Sequence, residues 1–181
     1  MTAPAIWTIG HSTHSADAFL ALLRAHEIGA IADVRRFPGS RRHPHFGREA
    51  LQTNLVAAGI DYHWLPALGG RRAPRPDSRN TAWRNNAFRG YADYMETPEF
   101  AAAEAELERL AAERRTAIMC AEALWWQCHR ALISDYLKAR GIDVWHITGA
   151  TAAAPHRFSS AGHVVDGRLT YHPPAGELKL S

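Results

Sequence analysis

Apolar residues follow two alternating rhythms along this chain: short continuous runs suited to buried strands, and stretches spaced by three and four residues suited to helices. Ile6 to Ile9 is the first short run, ending in Gly10-His11-Ser12-Thr13. A helix follows, with Ser15 as its N-cap and Phe19, Leu22, Leu23 and His26 on its inner face. Ile28 to Val34 predicts a second strand, broken by Arg35, Arg36 and the Pro38-Gly39 turn. Gly47 to Ala58 reads as a helix stopped by Gly59, and Ile60 to Leu65 as a third strand. Arg71 to Arg89 is rich in Pro, Arg and Asn and has no period. So long a connection is usually functional or disordered. Phe88 to Met95 predicts a short helix. Thr97-Pro98-Glu99 opens another that runs to about Glu113.

Thr116 to Met119 is a compact apolar run that delivers Cys120 to a strand end. Helical spacing resumes at Gln127, with Cys128, Leu132 and Tyr136 on one face, and stops at Gly141. Asp143 to Ile147 predicts a fifth strand, Thr151 to Pro155 a loop, and Val164 to Thr170 a hairpin turning at Asp166-Gly167. Regular strand–helix alternation predicts an α/β fold: one domain over residues 1–181, with residues 149–181 as a peripheral tail. Its core is a largely parallel sheet of about five strands flanked by helices, a Rossmann-like three-layer arrangement, with a small C-terminal hairpin. In such a sheet ligands bind at the carboxyl ends of the strands. Those ends carry Gly10-His11, Asp33-Val34-Arg35, Leu68-Gly69-Gly70, Cys120-Ala121-Glu122 and Thr148-Gly149. The polar and glycine-rich positions fall on one edge.

Composition narrows the partners. The formal charge is only +3, but residues 34–48 hold five arginines, two histidines and no acid. Residues 63–91 hold six more arginines against Asp77 alone. Clustering of this kind predicts a small anionic, phosphate-bearing ligand, with nucleic acid as an alternative. No apolar run approaches the ~20 residues of a membrane span, and the N-terminus does not read as an export signal. No membrane partner is expected. Two cysteines make no disulfide framework, and the expected compartment is the cytoplasm.

Five polar residues crowd the turn after the central strand: Cys120, Glu122, Cys128, His129 and Arg130. Cys120 reads either as a small buried thiol or as a thiolate lowered by the helix N-terminus and by Arg130 or His129. Cys128 reads as core. Asp33 and Glu122 close strands where no aliphatic reason places them, so they are candidates for an acid–base pair, or for carboxylates held by arginines (Asp33 by Arg35 or Arg42, Glu122 by Arg130). His11 suits a general acid or base, or a loop hydrogen bond. Arg35, Arg41, Arg42 and Arg130 suit bidentate recognition of phosphate or carboxylate. Six aromatic residues, Tyr62, Trp64, Trp83, Tyr91, Trp125 and Trp126, include one or two expected at the site. A zinc site from Cys120, Cys128, His129 and His11 lacks the close ligand pairs such sites use, so no cofactor is expected.

Six stretches in this order, T-I-G-H-S, A-D-V-R-R-F-P-G-S-R, L-P-A-L-G-G-R-R, F-R-G-Y-A-D-Y-M, M-C-A-E-A and C-H-R-A-L-I-S-D-Y-L, resemble the bacterial family named domain of unknown function 488. They run from Thr8 to about Ile147. The resemblance implies that His11, Asp33, Arg35, Ser40, Cys120, Glu122, Cys128, His129 and Arg130 share one site, and the family name supplies no activity. Trp125-Trp126 departs from the pattern and would alter the wall of a pocket. In layout the chain is also similar to rhodanese-type sulfurtransferases, whose strand-end cysteine is the nucleophile; here the loop from Cys120 to Arg130 is longer and holds Glu122. Three functions follow as expectations. The first is an enzyme acting on an anionic, nucleotide-like substrate by hydrolysis or group transfer, with Asp33, Glu122 and His11 handling protons and arginines holding the anion. The second is sulfur or acyl transfer through Cys120. The third is nucleic-acid binding without catalysis.

Overall fold

The computed structural model describes residues 4–174. A six-stranded sheet has the order β3-β2-β4-β1-β5-β6. The strands are β1 (Ala5–Gly10), β2 (Ala30–Asp33), β3 (Asp61–Trp64), β4 (Thr116–Cys120), β5 (Asp143–Gly149) and β6 (Ala152–Pro155). β1 to β5 pair in parallel, and β6 runs antiparallel to β5. The helices are α1 (Ala16–Ala25), α2 (Arg48–Ala57), α3 (Asn86–Tyr94), α4 (Pro98–Glu113) and α5 (Arg130–Ala139).

Period-two alternation in the strands sorts the core onto two faces. In β4, Ala117 and Met119 join Phe19 and Leu23 of α1 and Leu51 and Leu55 of α2. Ile118 and Cys120 face the other way, toward Phe100 and Leu107 of α4 and Leu132, Ile133 and Leu137 of α5. β4 is buried along its whole length. That is why it reads as a continuous apolar run rather than an alternating one. Ser15 caps α1 through the N–H of Ala18, and Thr97 caps α4 through that of Phe100, as the sequence predicts.

The sixth strand is a correction. Residues 152–155 read as a loop because Ala-Ala-Ala-Pro has weak strand propensity. They pair with β5 through the backbone at the sheet edge, where proline is tolerated. The hairpin is present as β7 (His163–Val165) and β8 (Arg168–Thr170), with Asp166 and Gly167 at φ 50° and 75°. Both turn residues at positive φ fit a type I′ connection. The peripheral tail expected over 149–181 therefore holds the end of β5, β6 and this hairpin, and its residues 175–181 lie outside the described part.

The aperiodic 71–89 connection is pinned by one buried carboxylate. Asp93 of α3 accepts from the Arg75 N–H (2.8 Å), the Ser78 hydroxyl (2.6 Å) and the Asn80 amide (2.7 Å).

Chain order then places a crevice. α1 leaves β1 onto one face of the sheet, and α5 leaves β4, its neighbour, onto the other. The loops after these adjacent strands diverge, and such a switch point is where parallel sheets bind ligands. Gly10 and Cys120 stand side by side at that point.

Candidate functional site

A cavity of about 680 Å³ opens at this switch point. Cys120, Cys128, His11 and His129 line it, Arg35, Arg36, Arg42 and Arg71 bring basic groups, and Phe37, Phe88 and Tyr91 bring aromatic ones. Ser40 and Glu122 are in the lining as well. Among the described residues, Glu122 is the one acid that lines the cavity.

The two cysteines meet there. Their Sγ atoms are 3.2 Å apart and both thiols are free. Cys128 does not lie on a helix as its spacing suggested. Residues 125–127 form a short 3-10 turn, and Cys128 itself is extended (φ −139°, ψ 174°), with α5 starting at Arg130. This kink turns the Cys128 sulfur back toward β4. It also puts the sulfur against the first N–H of α5, which donates to it at 3.4 Å. The Arg130 side chain donates from Nε at 3.3 Å. The thiol pair polarises accordingly. Cys128 is pushed down to about 6, first by the Cys120 S–H it accepts, then, against the opposing effect of burial, by the Arg130 charge and N–H groups. Burial and the adjoining Cys128 push Cys120 well up, so it is the donor of the pair. Of the two readings of Cys120, the buried thiol fits its surroundings, and the groups that favour a thiolate gather at Cys128.

Arg130, expected to hold the anion, lies behind the cavity wall instead of in it. It is 1 % exposed and does not line the cavity. Its Nη2 donates to the Glu122 carbonyl at 2.6 Å and to that of Ala123 at 3.4 Å, tying down the loop between the cysteines. Its Nη1 donates to the Thr8 hydroxyl at 3.2 Å. The expected Glu122–Arg130 ion pair is replaced by a bond to the Glu122 backbone, and the Glu122 side chain is exposed. Gly10 makes this arrangement sterically feasible, since a Cβ there would lie 1.8 Å from the Glu122 carbonyl oxygen.

Behind Arg130 runs a buried chain of side chains that sequence reasoning missed. Guanidinium only donates, so the Thr8 hydroxyl accepts from it and donates its own O–H to His146 Nδ1 (2.6 Å). His146 Nε2 then donates to His156 Nδ1 (2.9 Å), and His156 Nε2 to Asp135 Oδ1 (2.7 Å). Tyr171 donates to the other Asp135 oxygen at 2.8 Å. Trp125 stacks flat on His146, with centroids 4.2 Å apart. Trp125 and its exposed neighbour Trp126 stay out of the cavity wall, so the pair does not reshape it. The available signal was weak: Thr8, His146 and Asp135 are polar residues inside otherwise apolar strand or helix patterns.

Asp33 is likewise structural rather than poised for proton transfer. It is wholly buried beside β4 and does not reach the cavity. Arg35 grips both its oxygens, Nε to Oδ1 at 2.9 Å and Nη2 to Oδ2 at 2.8 Å, and Tyr62 donates to Oδ2 at 2.5 Å. The paired-carboxylate arrangement of Asp33 and Glu122 does not form. Arg35 instead aims Nη1 at the Phe46 carbonyl (2.8 Å) and, more distantly, at His11 Nε2 (3.5 Å). His11 stacks on Phe46 and donates from Nδ1 to the Ser12 carbonyl (2.9 Å), which leaves Nε2 as the acceptor that faces Arg35 Nη1. Burial lowers its pKa to about 4. His129 donates from Nε2 to the Val34 carbonyl (2.9 Å), and burial lowers it to about 4 as well. Both rings are neutral near pH 7.

Among the described residues no three His, Cys, Asp or Glu side chains are grouped to hold a metal ion. Of the six aromatic candidates only Tyr91 lines the cavity; Phe37 and Phe88 were not foreseen. Among the described residues no helix is long and apolar enough to cross a membrane.

Comparison with known proteins gives no match among curated proteins and none among solved structures. The family described as Domain of unknown function DUF488 matches residues 15–137, more than half of the 181 residues and the span that carries α1 to α4, most of α5, β2 to β4 and both cysteines, and the chain belongs to that family.

Proposed function

We propose that this protein is an enzyme that takes a small anionic substrate into the switch-point cavity and attacks it with the Cys128 thiolate, in a group transfer. One observation carries the reading. A sulfur that faces an arginine-walled cavity accepts N–H bonds from the Arg130 guanidinium and from the first residue of α5. A helix N-terminus and a buried cation both favour the thiolate, which is the nucleophilic form. Arg35 is committed to Asp33, so Arg36, Arg42 and Arg71 are the groups left to attract the anion. Phe37, exposed at the rim, and Tyr91 offer apolar surface to the rest of the substrate.

The test compares iodoacetate with iodoacetamide as alkylating agents. The anionic reagent should react faster at Cys128 than the neutral one, the reverse of a free thiol in a neutral setting. Arg42→Ala should shrink that preference several-fold, and phosphate or a nucleotide should protect. A Cys128 that reacts like a free thiol, indifferent to reagent charge, sinks the proposal.

An acid–base reading keeps one supporting observation: His11 Nε2 and the exposed Glu122 carboxylate both belong to the cavity wall. It predicts turnover of an anionic ester that survives Cys128→Ser and dies in His11→Ala. Binding of single-stranded DNA that collapses in moderate salt, without turnover, would point to the nucleic-acid alternative.

A further inference from the structure

Cys120 has a position that a structural thiol does not need. Its sulfur is 3.2 Å from that of Cys128, both cysteines belong to the cavity wall, and its other hydrogen-bond partner is the Glu122 carbonyl at 3.7 Å. The two residues sit on separate segments, the end of β4 and the extended residue before α5, joined by a loop whose residues 121–124 are exposed. A disulfide needs about 2.05 Å between sulfurs, so the pair must close by ~1 Å. Residues 121–124 form no helix or strand, and Arg130 anchors the Glu122 and Ala123 carbonyls, so the closure falls to the two cysteine side chains and their own backbone at either end of that anchored loop.

We infer that Cys120 is the resolving thiol of a two-cysteine centre whose substrates are small disulfides bearing carboxylate or phosphate groups. The inference rests on Cys128 being the nucleophile, and it names the group that is transferred. An acyl or phosphoryl adduct on Cys128 offers a neighbouring thiol an electrophilic carbon or phosphorus. Attack there merely moves the adduct to Cys120. A sulfur adduct is different, because the Cys128 sulfur itself becomes electrophilic, and that atom is the one Cys120 touches.

The reaction has two steps. The Cys128 thiolate attacks one sulfur of the substrate R–S–S–R′, forming Cys128–S–S–R and expelling R′–S⁻. The Cys120 thiol then attacks the Cys128 sulfur, forming the Cys120–Cys128 disulfide and expelling R–S⁻, which takes up the Cys120 proton. The substrate gains two electrons and the protein dithiol loses two. A dithiol reductant resets the centre. The polarity of the pair fits these roles: an attacking thiolate at Cys128, and at Cys120 a protonated thiol that stays silent until the adduct forms. The arginine wall selects anionic disulfides.

The full chain, reduced and then treated with glutathione disulfide, tests this by intact mass under non-reducing conditions. Wild type should lose the mass of two hydrogens and release two equivalents of glutathione. Cys120→Ser, with Cys120→Ala as a second variant, should stop at a glutathione adduct that peptide mapping places on Cys128. Cys128→Ser should not react. The neutral bis(2-hydroxyethyl) disulfide should react at least several-fold more slowly, and Arg42→Ala should narrow the gap. Wild type that accumulates the mixed disulfide at Cys128 without closing overturns the resolving role and leaves the thiolate reading standing. Failure of Cys128 to react faster than a free thiol with any electrophile removes both. Equal rates with anionic and neutral disulfides overturn the substrate class.

Discussion

Replacing Arg130 by methionine should move the titration of Cys128 upward by about two pH units, because an opposite charge at this range shifts a thiol by roughly 1–3 units. The side chain is wholly buried, its Nε lies 3.3 Å from the sulfur, and the pair has little water to screen it. With the thiol held at about 6, half of Cys128 is thiolate at pH 6. A rise of about two units leaves about 1 %, a fall of ~50-fold in the reactive form. Reaction rates fall less, because the more basic thiolate is the better nucleophile. With a Brønsted slope of about 0.45, the loss at pH 6 is about sixfold. The position of the inflection is therefore a better readout than a single rate. Thiolate absorbance near 240 nm and the pH dependence of alkylation, with the modified residue identified by mass mapping, give that inflection. Methionine also leaves the Glu122 and Ala123 carbonyls without their donor, at about 1–3 kcal/mol for each group left unpaired. Should it fold poorly, Arg130→Lys keeps the charge without the fork and should give an intermediate inflection. An inflection still near 6 in a folded Arg130→Met protein would refute the reasoning.

Acid should destabilise the fold between pH 6.5 and 4. His11 and His129 are held at about 4 by burial, and His146 lower still, so over that window the unfolded chain binds more protons than the folded one and stability falls as pH falls. Each of His11 and His129 contributes up to ~3 kcal/mol of that loss, and urea melts of His129→Gln at pH 7 and 4.5 should show a shallower slope than wild type. Glu104→Leu should stabilise by about 1–3 kcal/mol at pH 7, because burial raises this carboxyl well above its ordinary value and neither oxygen has a partner; a lower Tm would contradict this. Gly10→Ala should cost at least ~2 kcal/mol and raise the Cys128 inflection, since the added methyl displaces the Glu122 carbonyl that Arg130 holds; a silent substitution would mean the loop between the cysteines is not anchored there.

Much of the architecture was legible along the chain, because strand and helix periods are local properties. Buried runs such as Thr116–Cys120, the caps at Ser15 and Thr97, and the Asp166-Gly167 turn are decided within a few residues. The edge that holds the candidate site followed from the same reading, since in a parallel sheet every carboxyl end falls on one side. What each polar residue does there was not legible. Asp33 read as a candidate acid or an ion-pair partner, and Arg35 with Tyr62 settles it as a buried, fully bonded carboxylate. Cys128 fell into helical register by spacing, yet a kink before α5 takes it off the helix and onto Cys120. Arg130, a natural anion ligand by composition, is held inside by Thr8 and two loop carbonyls. Residues 8, 130, 135, 146 and 156 share no local pattern, and they meet only because β1 sits between β4 and β5. Local periodicity determined which segments fold and which edge holds the cavity. Long-range hydrogen bonding, which no spacing encodes, decided which thiol receives the Arg130 N–H groups and which charges face the cavity.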